Sequence, residues 1–264
     1  MHDFNYQNAS SISDAINAHK GASDGTYLAG GQTLLPTLKQ RLAQPSDLID
    51  LAGISDLSFI TMDKELSIGA MTTHSAVASS EQVAKNIPAL VNLARGIGDP
   101  QVRNRGTIGG SIANNDPAAD YPAACLALNA NIVTDRREIH ADDFFTGMFD
   151  TALDEGELIT SVKFSIPEKA CYMKFPNPAS RYALVGVFVA TRGAETRVAV
   201  TGAGEDGVFR ASELEDALSH NFSSASIEGV EISPDGLMSD IHAQSDYRAS
   251  LIVTMAKRAV AAAG

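Results

Sequence analysis

Two glycine pairs constrain this chain of 264 residues more than anything else in it. The first stands in Tyr27-Leu28-Ala29-Gly30-Gly31-Gln32-Thr33-Leu34-Leu35-Pro36, and the second in Gly106-Thr107-Ile108-Gly109-Gly110-Ser111-Ile112-Ala113-Asn114-Asn115-Asp116-Pro117-Ala118-Ala119-Asp120. A glycine pair lets the backbone bring bare amides close to an anion. Either pair alone reads more simply as a tight turn. Two such loops, each gripping a pyrophosphate from its own side, point to a dinucleotide. Neither carries the G-x-G-x-x-G spacing of a Rossmann fold, and no G-x-x-x-x-G-K phosphate loop occurs, so a dinucleotide is held by another architecture.

The local pattern around the first pair reads as strand, glycine loop, helix: Tyr27 to Ala29 extended, then Pro36 early in a helix that Leu38 to Leu42 continues. Ser11 to Asp14 is a capping box ahead of a short amphipathic helix. Leu48 to Leu51 and Leu66 to Ala70 are short strands, each expected to lead into a helix, with a turn at Met62 to Glu65. Pro88 opens a helix that runs to Ala94 and stops near Gly96. Asp116-Pro117 is read as a helix start, with Ala118 to Ala130 packed closely on a sheet. Leu158 to Phe164 alternates like a strand and ends at Pro167. Beyond it, Cys171 to Phe175, Leu184 to Ala190 and Arg197 to Thr201 are strand-like, and Ser212 to Leu218 and Tyr247 to Ala263 are helical. The later part therefore reads as an antiparallel sheet backed by helices.

Composition excludes several function classes. A net charge of −12 argues against a general nucleic-acid surface, which needs Lys and Arg to neutralise phosphates. No apolar run approaches the roughly 20 residues of a membrane span. The segment Met1 to Tyr6 has neither the basic start nor the apolar stretch of a secretory signal, and the expectation is a cytoplasmic protein. Cys125 and Cys171 are the two cysteines, too few for a four-thiolate iron–sulfur cluster in this chain.

Ala29 to Pro36, and Thr107 to Ser111 followed by Asp116 to Asp120, resemble the two FAD loops of molybdenum hydroxylase flavoproteins, such as the medium subunit of carbon monoxide dehydrogenase and the flavin domain of xanthine dehydrogenase. Ile68-Gly69-Ala70-Met71-Thr72-Thr73-His74 and Ile97 to Arg103 resemble further segments of that family, and Tyr247-Arg248 with the last helix its carboxyl-terminal domain. The resemblance implies an α+β fold. Residues 1–167 are then an FAD-binding domain of two subdomains, split near 55, of the PCMH type found in vanillyl-alcohol oxidase-like flavoproteins. Residues 168–264 form a small antiparallel sheet packed on helices.

The same resemblance implies which residues hold the cofactor. Ala29, Gly30, Gly31, Gln32, Thr33 and Leu34, with Thr107, Ile108, Gly109, Gly110 and Ser111, are expected to wrap the FAD pyrophosphate and neighbouring groups. Asp120 is expected to accept hydrogen bonds from sugar hydroxyls. Ile97, Ile159 and Lys174 fall where the family has contacts around the cofactor, although an isoleucine is as readily plain core and a lysine as readily solvated. Tyr182 is expected to stack over the flavin ring or gate it. His74, without a second ligand or carboxylate motif, reads as structural.

No nucleophile triad, paired catalytic carboxylates or metal cluster stands out, as suits an electron relay. The expected function is the flavoprotein subunit of a molybdenum hydroxylase-type oxidoreductase. It would pass electrons from 2Fe–2S clusters in a small partner subunit through FAD to an external acceptor. A large partner would carry molybdopterin, and the assembly is expected to be a dimer of heterotrimers. The alternatives are a self-contained FAD enzyme of similar fold and a nucleotide-binding scaffold without redox chemistry.

Overall fold

A computed structural model describes residues 1–263, so Gly264, the last residue of the expected carboxyl-terminal domain, lies outside the described residues. The chain opens with β1 (Asn5–Asn8), α1 (Ile12–Gly21), β2 (Gly25–Leu28), α2 (Leu34–Lys39) and β3 (Asp47–Asp50). The three strands pair in parallel in the order β1-β3-β2. Ser11 caps α1 by accepting from the Asp14 amide at 3.1 Å, while the Asp14 carboxylate accepts from the Ser10 amide rather than the cap's own. The strip of Ala9, Ala15, Ile49, Leu51, Ile54 and Leu57 is buried, together with Leu158 from far along the chain. The helix expected after Leu51 is only a single turn of tighter helix at Ser55–Leu57.

A second sheet begins with β4 (Ile60–Met62) and β5 (Leu66–Gly69), joined by the expected turn. Six helices follow: α3 (His74–Ser79), α4 (Glu81–Asn86), α5 (Pro88–Arg95), α6 (Pro100–Arg105), α7 (Ile108–Asn114) and α8 (Tyr121–Ala127). Then come β6 (Asn131–Thr134), β7 (Glu138–His140), α9 (Ala141–Phe144), the small hairpin β8 (Phe145–Gly147) and β9 (Asp150–Thr151), and β10 (Ile159–Phe164). The sheet order is β4-β5-β10-β6-β7, all antiparallel. Asp116 bends the chain by accepting from the Ala118 amide, which delays the small-residue helix to Tyr121.

The third sheet is a meander, β11 (Lys169–Pro176), β12 (Ala183–Arg192), β13 (Glu195–Gly204) and β14 (Gly207–Arg210), followed by α10 (Ser212–His220) and α11 (Ser245–Ala262). The uninterrupted apolar run of β12 is explained by burial on both faces. One face meets α10 and α11, where Leu251, Ile252, Met255, Ala256 and Ala259 form a buried stripe at helical spacing. The other face sends Tyr172, Phe188, Ala190 and Ala199 into the same core as Tyr121, Cys125, Leu90 and Ile132. The second and third sheets therefore share a hydrophobic interior. Polar contacts reinforce it: Thr201 Oγ1 donates to the carbonyls of Pro117 at 3.0 Å and Ala119 at 2.6 Å, and the Gly202 amide donates to Pro117 at 2.8 Å.

Candidate cofactor cleft

A cleft of about 460 Å³ opens where the end of β2, the α6–α7 junction and the segment Asp116 to Asp120 converge. Ala29 through Leu34 line it, as do Thr107, Gly109, Gly110, Ser111, Asp120, Ile97, Ile159 and Tyr182. Two expected residues do not. Ile108 has no exposed surface and packs into the core, since the first turn of α7 rotates it away from the opening. Lys174 sits behind Asp120 with its ammonium group committed to protein partners.

The two glycine pairs turn out to be physically different. At the first, Gly31 takes a left-handed backbone (φ +72°) and the chain enters α2, where Leu35 donates to the Gly31 carbonyl and Thr37 to that of Thr33. The amides of Gly30, Gly31, Gln32, Thr33 and Leu34 find no acceptor among the described residues. This is a run of bare donors on the cleft wall.

The second pair is not a loop at all. Gly109 and Gly110 lie in the first turn of α7, with Thr107 as its cap, and their amides are spent. Ile108 donates to Thr72 at 3.1 Å, Gly109 to Ala70 at 2.9 Å, Gly110 to Thr107 Oγ1 at 3.1 Å, and Ser111 to the Thr107 carbonyl at 3.0 Å. What these glycines supply is closeness. A Cβ on Gly109 would stand 2.6 Å from Ala70 Cβ, and one on Gly110 would stand 3.3 Å from Ala29 Cβ. Across the same contact, a Cβ on Gly30 would lie 2.1 Å from the Arg105 carbonyl oxygen. The two motifs are packed on each other, with only the first gripping through its amides.

Asp120 is 4% exposed and receives the Tyr172 hydroxyl at 2.5 Å and the Lys174 ammonium at 2.9 Å on Oδ1 and 3.1 Å on Oδ2. Lys174 also donates to the Gly96 carbonyl at 2.9 Å. Burial pushes the Asp120 carboxyl above the usual carboxylate range, and Lys174 and then Tyr172 pull against that. Burial and the neighbouring Asp120 charge raise the Tyr172 phenol well above its ordinary value, so it remains a donor. With these contacts made, Asp120 has little acceptor capacity left for a ligand.

Tyr182 stands at the cleft mouth, 48% exposed, after Arg181 in a left-handed conformation (φ +64°). Burial of part of its ring and the charges of Asp116 and Asp120 raise its phenol. Deeper in, Glu157 lines the cleft and is pinned by Arg137, Thr134 and the Asp154 amide. The Arg137 hydrogen bond is the chief reason its carboxyl is held down to about 2. Neither Glu157 nor His74, which also lines the cleft, was singled out as a site residue by the sequence reading.

A family model described as the FAD binding domain in molybdopterin dehydrogenase matches residues 2–168. The chain belongs to this family. It is 35% identical to the nicotine 6-hydroxylase medium subunit of Paenarthrobacter nicotinovorans, over 98% of this chain and 96% of that one. It is 34% identical to the carbon monoxide dehydrogenase medium chain of Hydrogenophaga pseudoflava, with the same coverage. Among solved structures it is similar to quinoline 2-oxidoreductase from Pseudomonas putida 86, with a TM-score of 0.89, 31% identity, and coverage of 99% of this chain and 96% of that chain.

The protein is thus an FAD-dependent oxidoreductase subunit, a flavoprotein of the molybdenum hydroxylase family with the fold of its relatives. The residues present fit the cofactor. Bare amides at Gly30 to Leu34 suit a phosphate, and the unsubstituted Cα of Gly110 leaves room beside Ala29. No helix among the described residues is long and apolar enough to cross a membrane.

Proposed function

We propose that this chain holds FAD in the cleft and relays electrons through it, while the substrate is oxidised in a partner subunit. The observation that carries this reading is the run of unpartnered amides from Gly30 to Leu34 on the wall of a large cleft, in a chain whose family binds FAD. Those amides take the pyrophosphate, with the Ser111 hydroxyl beside them. The other expected residues of the lining, Ala29, Thr107, Gly109 and Gly110, shape the space around it. Asp120, with Lys174 and Tyr172 already on it, accepts at most one sugar hydroxyl rather than two. Ile97 and Ile159 provide apolar walls, and Tyr182 covers the outer end of the cofactor. Bound FAD supplies the redox chemistry, accepting electrons and handing them on.

The relatives are named as medium subunits or chains, which supports partners of two kinds. On this reading a large subunit carries molybdopterin, a small one carries 2Fe–2S clusters, and the complex is a dimer of heterotrimers that reduces an external acceptor in the cytoplasm. The chain divides functionally into residues 1–167, with a subdomain change near 55, and residues 168–264. The decisive experiment is an absorption spectrum of the purified full chain, before and after heat release and re-addition of FAD. A yellow protein with paired flavin bands and one releasable FAD per chain is expected. A colourless protein that takes up no FAD overturns the reading, and steady turnover of a small substrate by the isolated chain overturns the relay.

A further inference from the structure

On the wall made by the second glycine segment, the backbone has nothing to offer an anion, because the amides of Ile108 to Ser111 are all occupied. A side chain stands there instead. His74 is the first residue of α3, 5% exposed, and lines the cleft next to Gly106 and Thr107. Its amide donates to the Gly106 carbonyl at 2.9 Å, and its ring edge lies so close that a Cβ on Gly106 would stand 2.6 Å from Nε2. Nδ1 is sealed from solvent with no partner among the described residues, whereas Nε2 is not sealed and makes no hydrogen bond within them.

That arrangement fixes the tautomer. An imidazole has one proton to place when neutral, and an N–H buried without an acceptor costs more than a bare lone pair. The proton therefore sits on Nε2, at the edge facing the cleft. Burial, with the Arg103 charge nearby, keeps the ring neutral by lowering its pKa to about 4. The ring also leans on Tyr121, centroids 5.4 Å apart, and makes no hydrogen bond to the buried Tyr121 hydroxyl.

We propose that His74 is a neutral hydrogen-bond donor to an acceptor oxygen of the bound FAD, acting through Nε2–H and supplying on this wall the contact that the α7 amides cannot. The inference rests on the FAD reading above and deepens it. The glycine at position 106 then has a reason in the site, since any side chain there would press on the donor nitrogen.

The test compares His74→Gln with His74→Leu in the full chain, stripped of flavin and titrated with FAD. The glutamine amide reaches the position of Nε2 and retains a donor; leucine retains bulk without one. His74→Leu should weaken FAD binding about tenfold, the usual scale of one lost hydrogen bond, and His74→Gln should stay within about threefold of the unmodified chain. Equal weakening by both variants, or by neither, overturns the donor role. Nitrogen-15 chemical shifts of the His74 ring in the unmodified chain provide a second readout that no folding defect confuses: protonation at Nε2, with a shift on adding FAD, is expected. An Nδ1-protonated ring or one indifferent to FAD refutes the proposal. An unmodified chain that binds no FAD at all would instead sink the cofactor reading itself.

Discussion

Replacing Gly30 by alanine is the sharpest probe of how the cleft is built. The added methyl would fall 2.1 Å from the Arg105 carbonyl oxygen, 2.7 Å from its carbon and 2.8 Å from Gly106 Cα. All three neighbours are backbone, so no rotamer change relieves the contact. Ordinary non-bonded separations begin well above 3 Å, and the β2–α2 connection must therefore retreat from α6 by more than about 1 Å. Overpacking of this kind costs about 1–3 kcal/mol. Because the displaced segment carries the five bare amides, we expect FAD affinity to fall about ten- to a hundredfold, together with a lower urea midpoint. Gly110→Ala is the control. Its methyl meets Thr107 Oγ1 at 3.0 Å and Ala29 Cβ at 3.3 Å, contacts that small adjustments ease, and alanine is favoured over glycine within a helix. Flavin titration and urea unfolding of both variants decide the matter. The reasoning is refuted if Gly30→Ala binds FAD normally, or if Gly110→Ala is equally damaging.

Three further outcomes are expected. His74 protonates near pH 4 when folded against an ordinary 6.5, so the unfolded chain takes up the proton first as the pH falls. Stability is full above 6.5 and declines towards 4, by about 2–3 kcal/mol between about pH 7.5 and 4.5; unfolding free energies from urea titration of His74→Gln should decline less by an amount of that order, and superimposable pH profiles would refute it. Glu157 behaves oppositely in origin, since Arg137 holds its carboxylate at about 2 instead of 4.5, and this stabilisation is present above 4.5 and lost towards 2. Arg137→Met should move the acid-unfolding midpoint to higher pH, and an unmoved midpoint contradicts the assignment. Asn115, fully buried at φ +41°, donates from Nδ2 to the carbonyls of Gly147 and Asp150, each at 2.8 Å, while its backbone carbonyl, which alanine would keep, accepts from the Phe149 amide; with both side-chain donations lost and a left-handed backbone left to alanine, Asn115→Ala should cost about 2–4 kcal/mol in urea unfolding. A loss below about 0.5 kcal/mol would show that the hairpin does not depend on it.

Segments with strong local signals were legible in the sequence. Gly30-Gly31 before Pro36 gave the strand, turn and helix that are found, and the apolar run Leu184 to Ala190 falls within a strand of the expected antiparallel sheet. Helices α3, α4 and α6, of six residues each, span too few turns for a periodicity to emerge. The second glycine pair misled for a different reason. Whether an amide is bare depends on its acceptor, and those of Ile108 and Gly109 are the carbonyls of Thr72 and Ala70, which are distant in the sequence. Lys174 was expected at the cofactor because its pairing with Asp120 is made only when β11 crosses behind the cleft. His74 reads as structural in the sequence because the features behind the donor proposal, a sealed Nδ1 beside an Nε2 without a partner among the described residues, belong to the folded ring alone.

The grip of Thr201 and Gly202 on the carbonyls of Pro117 and Ala119 bears on how such proteins can be recombined. A chimera cut near Pro167 and given a foreign carboxyl-terminal half would keep every glycine of the first two sheets, yet lose the splint that props the Asp116 to Asp120 segment against the cleft. The seam that looks natural in the linear chain is tied across by these bonds, and only a donor half with a hydroxyl at position 201 and a free amide at 202 would transplant without loosening the wall.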